Sequence, residues 1–299
     1  MKPELFQPAD LGRDVPPPLS DFGWRLLAEG DSWFSISTLL PGNSNLLFEL
    51  DLARSTAIVN CAAPGATLQR MVDRRADGSC RRLLVGRRAR YWDGLLLSAG
   101  GNDLIAAACT PLDAGPGGSP TPLESRLLRT PAEAGARASA PDWISEPGWT
   151  RLASHLLDEF HEFARWRDAG PSAARPLMLH TYATPVARPA GELGRPDGWL
   201  YAALQACGIP RAWHQPVTEL LFERLRALLL SLDAGSGSAH ALAGVHVFDS
   251  AAVALRPASP DAHGPSGDWV NEIHLARSGW RKLGRPFGAW ISQVLARYP

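Results

Sequence analysis

The sequence predicts an α/β protein built on a parallel sheet. Three observations predict it. Short apolar runs alternate with helical patterns along the chain. Each run is continuous rather than alternating with polar residues, which suits strands buried on both faces. Polar turn residues follow the runs at their carboxyl ends, where open α/β sheets place their ligands.

Five strands are expected. Trp24-Arg25-Leu26-Leu27-Ala28-Glu29 leads into Gly30-Asp31-Ser32. The second run is Thr56 to Cys61. The third, Asp93 to Ser98, is stopped by Gly100-Gly101. The fourth is Pro176 to Thr181, and the fifth Gly244 to Asp249. Helices are expected at Thr67–Ala76, at Thr150–Arg167 with Leu152, Leu156, Phe160 and Phe163 on one face, at Thr218–Leu232, and at Ser278–Tyr298. Alternation of this kind gives a sheet flanked by helices. Two stretches read as insertions. Pro111–Pro147 is rich in Pro, Gly, Ala and Ser with little periodicity, a long loop or partly disordered flap. Arg188–Ser238 holds two helical patterns separated by Gly208-Ile209-Pro210. Residues 1–22 read as an N-terminal extension, and 23–299 as one domain.

Composition excludes several classes. The chain has 299 residues, 45% of them hydrophobic, enough for a substantial core. Thirty basic side chains balance thirty acidic ones, which argues against a generic nucleic-acid binder. No window has the ~18 uninterrupted apolar residues of a spanning helix, and Met1–Pro18 lacks the apolar core of a signal peptide. A cytoplasmic location is therefore expected. The four cysteines, Cys61, Cys80, Cys109 and Cys207, have no zinc-site spacing and read as free thiols. The Ala, Gly, Pro and Arg bias suits a GC-rich bacterial coding sequence. The GxSxG elbow, the GxxxxGK[ST] phosphate loop, GxGxxG and HExxH are all absent.

Four blocks supply the parts of acyl-transfer chemistry. They are Gly30-Asp31-Ser32, Pro64-Gly65-Ala66-Thr67, Gly100-Gly101-Asn102-Asp103 and Asp268-Trp269-Val270-Asn271-Glu272-Ile273-His274. A serine hydroxyl is a weak nucleophile and needs an adjacent base, for which His274 is the candidate. An imidazole needs an acid to fix its tautomer and steady its charge, and Asp268 is near in sequence. A tetrahedral oxyanion needs preorganised donors: the N–H groups of Ser32 and Gly65 and the Asn102 amide.

These blocks, in this order, resemble those of the SGNH or GDSL hydrolase family, over most of the chain from about Trp24 to Tyr298. The resemblance implies a flavodoxin-like three-layer α/β/α fold with a five-stranded parallel sheet of order 2-1-3-4-5. It also implies a metal- and cofactor-free esterase, lipase, thioesterase or carbohydrate deacetylase acting on a small-molecule ester. One departure stands out. The family places Asp three residues before its histidine, where this chain has Asn271, and Asn cannot stabilise an imidazolium as a carboxylate does. Asp268, Glu272, a backbone carbonyl with Asn271 as scaffold, and Asp249 are the competing partners for His274. An inert binding module on the same fold and an acyltransferase are the rival functions.

Plainer roles stand beside these. Ser32 is also a good helix N-cap, Asp31 a turn residue that binds backbone N–H groups, and Gly65 a turn glycine. Asn102 and Asp103 also suit the cap of the helix after the third strand. His155 and His161 read as helix-surface residues, and His180 and His246 as hydrogen-bonded strand residues. Among eleven tryptophans, Trp280 and Trp290 read as core, while Trp33 and Trp269 suit core or pocket equally. Arg74-Arg75, Arg81-Arg82, Arg87-Arg88 and Arg90 form a basic segment, a solvated face or an anion-binding rim.

Overall fold

The computed structural model describes residues 1–35, 44–73, 78–113, 119–136, 139–192 and 194–298. Its strands are β1 (Glu4–Phe6), β2 (Trp24–Gly30), β3 (Thr56–Asn60), β4 (Gly94–Ser98), β5 (Leu177–His180) and β6 (Val245–Phe248). They form one sheet of order β1-β3-β2-β4-β5-β6, and every pairing is parallel. The five expected strands are present in the expected order. The correction is the sixth: Glu4–Phe6 pairs in register with Ala57–Val59 and extends the sheet at its edge. Three residues, none of them buried, are too short and too polar a run to show in the apolar pattern.

The helices are α1 (Ser32–Ser35), α2 (Leu46–Glu49), α3 (Leu68–Val72), α4 (Ser79–Leu84), α5 (Gly101–Ala108), α6 (Pro131–Ala134), α7 (Glu146–Asp168), α8 (Leu200–Ala206), α9 (Arg211–Ser231) and α10 (Arg277–Leu295). α2 packs on α10, while α7 packs on α3, α4 and α5. Residues of β3 and β4 are buried on both faces, as the continuous apolar runs require. α7 and α10 match their expected spans closely. α9 begins seven residues earlier than expected, at Arg211, and runs through Pro216. α3 is shorter than expected, and Arg74, Arg75 and Ala76 lie outside the described residues.

The described part of Pro111–Pro147 is not featureless. Leu127, Leu128, Trp143 and Ile144 are buried, and Leu128 bridges to Ile144. Arg126, also buried, donates to the Thr121 and Leu128 carbonyls. Side-chain donors thus replace the missing ladder hydrogen bonds.

α10 approaches the chain after α2 closely because it lacks side chains there. A Cβ on Gly284 would lie 2.7 Å from the Glu49 backbone, and one on Gly288 would lie 2.5 Å from the Asp51 nitrogen. Gly288→Ala is therefore expected to destabilise the fold by about 1–3 kcal/mol through overpacking, despite the better helix propensity of Ala. Urea denaturation checks this, and an unchanged midpoint would refute the close-packing account.

Candidate active site

Order reverses at β2: the chain moves from β2 to β3 on one side, then returns to β4 on the other. The carboxyl ends of β2 and β4 therefore diverge into separate connections, the crevice where open α/β sheets bind ligands. Ser32 follows β2 as the first residue of α1, and Asn102 lies in the first turn of α5 after β4.

The turn carrying Ser32 is tightly held. Asp31 is buried, and its Oδ1 accepts from Trp33 N at 2.9 Å and Ser98 Oγ at 2.8 Å. Its Oδ2 accepts from the Tyr182 hydroxyl at 2.6 Å. Burial pushes the Asp31 carboxyl up to about 6, against those hydrogen bonds. The Phe34 carbonyl, left over by a one-turn helix, accepts from the amides of Asn45 and Asn60. Gly30 has no room for a side chain, since a Cβ would lie 2.9 Å from Ser98.

His274 arrives from the other end of the chain. Its Nε2 lies 2.9 Å from Ser32 Oγ, across 242 residues of sequence. Behind the ring, Nδ1 lies 3.0 Å from Asn271 Nδ2. The Asn271 Oδ1 accepts from Ile273 N at 3.1 Å and His274 N at 2.8 Å, an Asx turn that shapes the loop. Trp199 packs edge-on against the imidazole, with centroids 5.7 Å apart. Burial pushes His274 down to about 4.

The structure places the other acid candidates elsewhere. Asp268 does not touch His274. It is fully buried, and its carboxylate accepts from Arg256 N, Ser278 Oγ and Lys282 Nζ at 2.6–2.9 Å, anchoring the start of α10. Lying one helical turn before Asn271 in sequence does not bring it to the imidazole, because the chain from 268 to 274 is a loop: Trp269 bridges to Leu275 and Val270 N donates to the His274 carbonyl. Glu272 turns away and accepts from the backbone N–H groups of Arg188, Trp199, Leu200 and Tyr201. It thereby satisfies the start of α8 and seats Trp199 against His274. Burial pushes its carboxyl up to about 7. Asp249 pairs with Arg226 and accepts from Thr181.

Ser32 and Asn102 line one cavity, with Trp33, Tyr182, Phe222 and Ile273 among its walls. It measures about 20 Å³, room for about one water molecule. Asn102 Nδ2 donates to the Ala66 carbonyl at 3.0 Å. Asp103 accepts from Leu68 N through both oxygens and so ties α5 to α3. Gly65 lies at φ +71° in the exposed turn after β3 and is not among the cavity's walls. Trp33 is both pocket and core: it lines the cavity and packs on Tyr182, His180 and Trp280. Trp269 is buried core.

Two further groups lie apart from this cavity. Arg82, Arg87, Arg88 and Arg90 line an open groove of about 700 Å³ with Pro8 and Leu11, and none of them reaches the Ser32 cavity. Glu29, Cys61 and Cys80 bring ligand-type atoms within 4.8 Å of one another, the one such metal-ligating group among the described residues. The Cys80 thiol is pushed well up by its hydrogen bond with Cys61 and by burial, so a metal there would have to displace its proton.

No family model matches this sequence, and no curated protein matches it. Among solved structures, the chain is similar to an extracellular lipase from Streptomyces rimosus, at 11% identity over 93% of this chain and 100% of that one, with a TM-score of 0.46. It is similar to a carbohydrate acetylesterase from Sinorhizobium meliloti, at 12% identity over 91% and 99%, with a TM-score of 0.45. It is also similar to the M. smegmatis aryl esterase, at 12% identity over 93% and 100%, with a TM-score of 0.44. No described helix is long and apolar enough to cross a membrane.

Two outcomes follow from the placement of these residues. Asp268→Ala is expected to lower stability by about 1–3 kcal/mol, by leaving buried donors unpaired, while leaving the reactivity of Ser32 toward a fluorophosphonate unchanged. Loss of labelling in a folded Asp268→Ala protein would return Asp268 to the role of catalytic acid. A base held at about 4 is unprotonated above that pH. The Ser32 labelling rate should therefore fall through an acid limb near pH 4, rather than near 6.5, as protonation removes the base. A limb at 6 or above would contradict the desolvated histidine.

Proposed function

We propose that this chain is a serine hydrolase of the SGNH type that cleaves carboxylic esters. One observation carries the reading: the 2.9 Å contact between Ser32 Oγ and His274 Nε2, made by the two residues that the motif order had paired. Three further features support it. The pair lies in the crevice where the strand order reverses, Asn102 lines the same cavity as Ser32, and the buried Asp31 fixes the turn that carries the serine.

The chemistry then runs as follows. His274 Nε2 takes the Ser32 proton while Oγ bonds to the ester carbonyl carbon. The carbonyl oxygen gains negative charge and is met by the Asn102 amide and the N–H group of Ser32, the two donors that border the cavity. The C–O bond to the alcohol breaks as His274 returns the proton to the leaving oxygen. Water, activated by the same imidazole, releases the acid and restores Ser32. Walls of Trp33, Phe222 and Ile273 favour an uncharged acyl group. A cytoplasmic enzyme working on small esters is the matching cellular picture.

A second reading is an inert binding module on the same fold. One observation favours it: among the described residues, no carboxylate hydrogen-bonds to His274.

A panel of nitrophenyl esters of increasing chain length tests the first reading. Hydrolysis should be measurable and should vanish in Ser32→Ala with the fold intact. Asn102→Ala should lower kcat by about 10² to 10³. Equal turnover in the wild type and Ser32→Ala would rule the mechanism out, and no turnover with no fluorophosphonate labelling would decide for the binding module.

A further inference from the structure

The hydrogen bonds behind His274 fix where its proton sits. Two backbone N–H donors, Ile273 N and His274 N, converge on one terminal atom of the Asn271 side chain. That atom must be the carbonyl oxygen, because the NH₂ group only donates. Turning the amide over would set donor against donor twice. The NH₂ group is therefore the end that faces His274 Nδ1 at 3.0 Å. Facing a donor, Nδ1 has to accept, so it carries no proton. A neutral imidazole carries one proton, which leaves it on Nε2, the nitrogen beside Ser32.

We propose that Asn271 is a tautomer lock that holds His274 in its Nε2–H form in the resting site. In that form Nε2 donates to Ser32 Oγ and cannot take the serine's proton. The Ser32 hydroxyl then directs its own hydrogen away from His274, as a donor for a carbonyl oxygen seated in the cavity. The resting site binds a carbonyl group before it attacks one. To become a base, His274 must move its proton to Nδ1. That sets Nδ1–H against the Asn271 NH₂ unless the amide turns over and gives up both backbone hydrogen bonds. An Asp at position 271 would meet both demands at once: one oxygen would accept from the two backbone groups and the other from Nδ1–H. No electron transfer and no external reactant is involved, since a single proton changes nitrogen.

The assignment of the proton stands on hydrogen-bond geometry alone, while its kinetic consequence rests on the hydrolase reading. The test is ¹⁵N NMR of the full chain labelled at histidine, with His274→Gln identifying the signals of His274 by their loss. At neutral pH, Nε2 should appear as a protonated, pyrrole-type nitrogen and Nδ1 as a bare, pyridine-type one. In Asn271→Asp the proton should appear on Nδ1, and Ser32-dependent hydrolysis of nitrophenyl acetate should rise by up to about 10⁴-fold, the factor by which the reverse change slows a serine protease. A protonated Nδ1 in the wild type would overturn the lock, as would a proton that stays on Nε2 in Asn271→Asp. Should the proton move to Nδ1 in Asn271→Asp without any gain in turnover, the lock would stand and the hydrolase reading would fail.

Discussion

Every strand of the sheet runs in the same direction, so the carboxyl ends of β2 to β6 lie along one edge. There the ladder stops and the chain must satisfy its last backbone groups by other means. At β2 this is done by a buried carboxylate, Asp31, which joins the turn after β2 to Ser98 at the end of β4 and to Tyr182 just after β5. Three strand ends are thereby drawn to one point. Ser32 inherits its position from that convergence. The partner histidine comes from beyond β6, on a loop anchored by Asp268 below and Glu272 beside it.

The carboxylates around the site share a division of labour that their spacing in sequence conceals. Asp31, Asp103, Asp268 and Glu272 are all buried, and each accepts from backbone N–H groups. They serve as structural acceptors that shape turns and helix starts. None of them is in hydrogen-bond contact with the imidazole, and the side chains that are, Asn271 and Ser32, are neutral. Electrostatically, the site pairs a neutral, buried histidine with carboxyl groups whose oxygens are already committed to backbone donors.

The strands were legible because doubly buried strands need continuous apolar runs. Ser32 and Asn102 were legible as site candidates because they stand where strands give way to helices, and His274 because it shortly precedes the last helix. What could not be read depended on orientation. Asp268 and Asn271 lie six and three residues before His274, and only the path of the loop decides which side chain faces the ring. Trp199 reaches the histidine from the residue before α8, seventy-five positions away in sequence, through the grip of Glu272 on its backbone. Glu29, Cys61 and Cys80 converge from two strand ends and a helix start, with no spacing signature. Glu4–Phe6 carries little apolar signal because a short edge strand paired on one side is only partly buried.

The cavity beside Ser32, about 20 Å³, has a consequence for affinity. Drug-sized ligand sites run to about 300–1,000 Å³, so the enclosed space beside Ser32 is small against them. Its walls include Ala183 and Pro185, just beyond β5, and Phe222 from α9. A ligand larger than this space would bind only where these walls part. For such a ligand, binding would carry two terms, its fit to the widened pocket and the fraction of molecules in which the walls have parted. Apparent affinity is the intrinsic one scaled by that fraction. Substitutions that loosen the contact between α9 and the segment after β5 would tighten binding without touching the ligand.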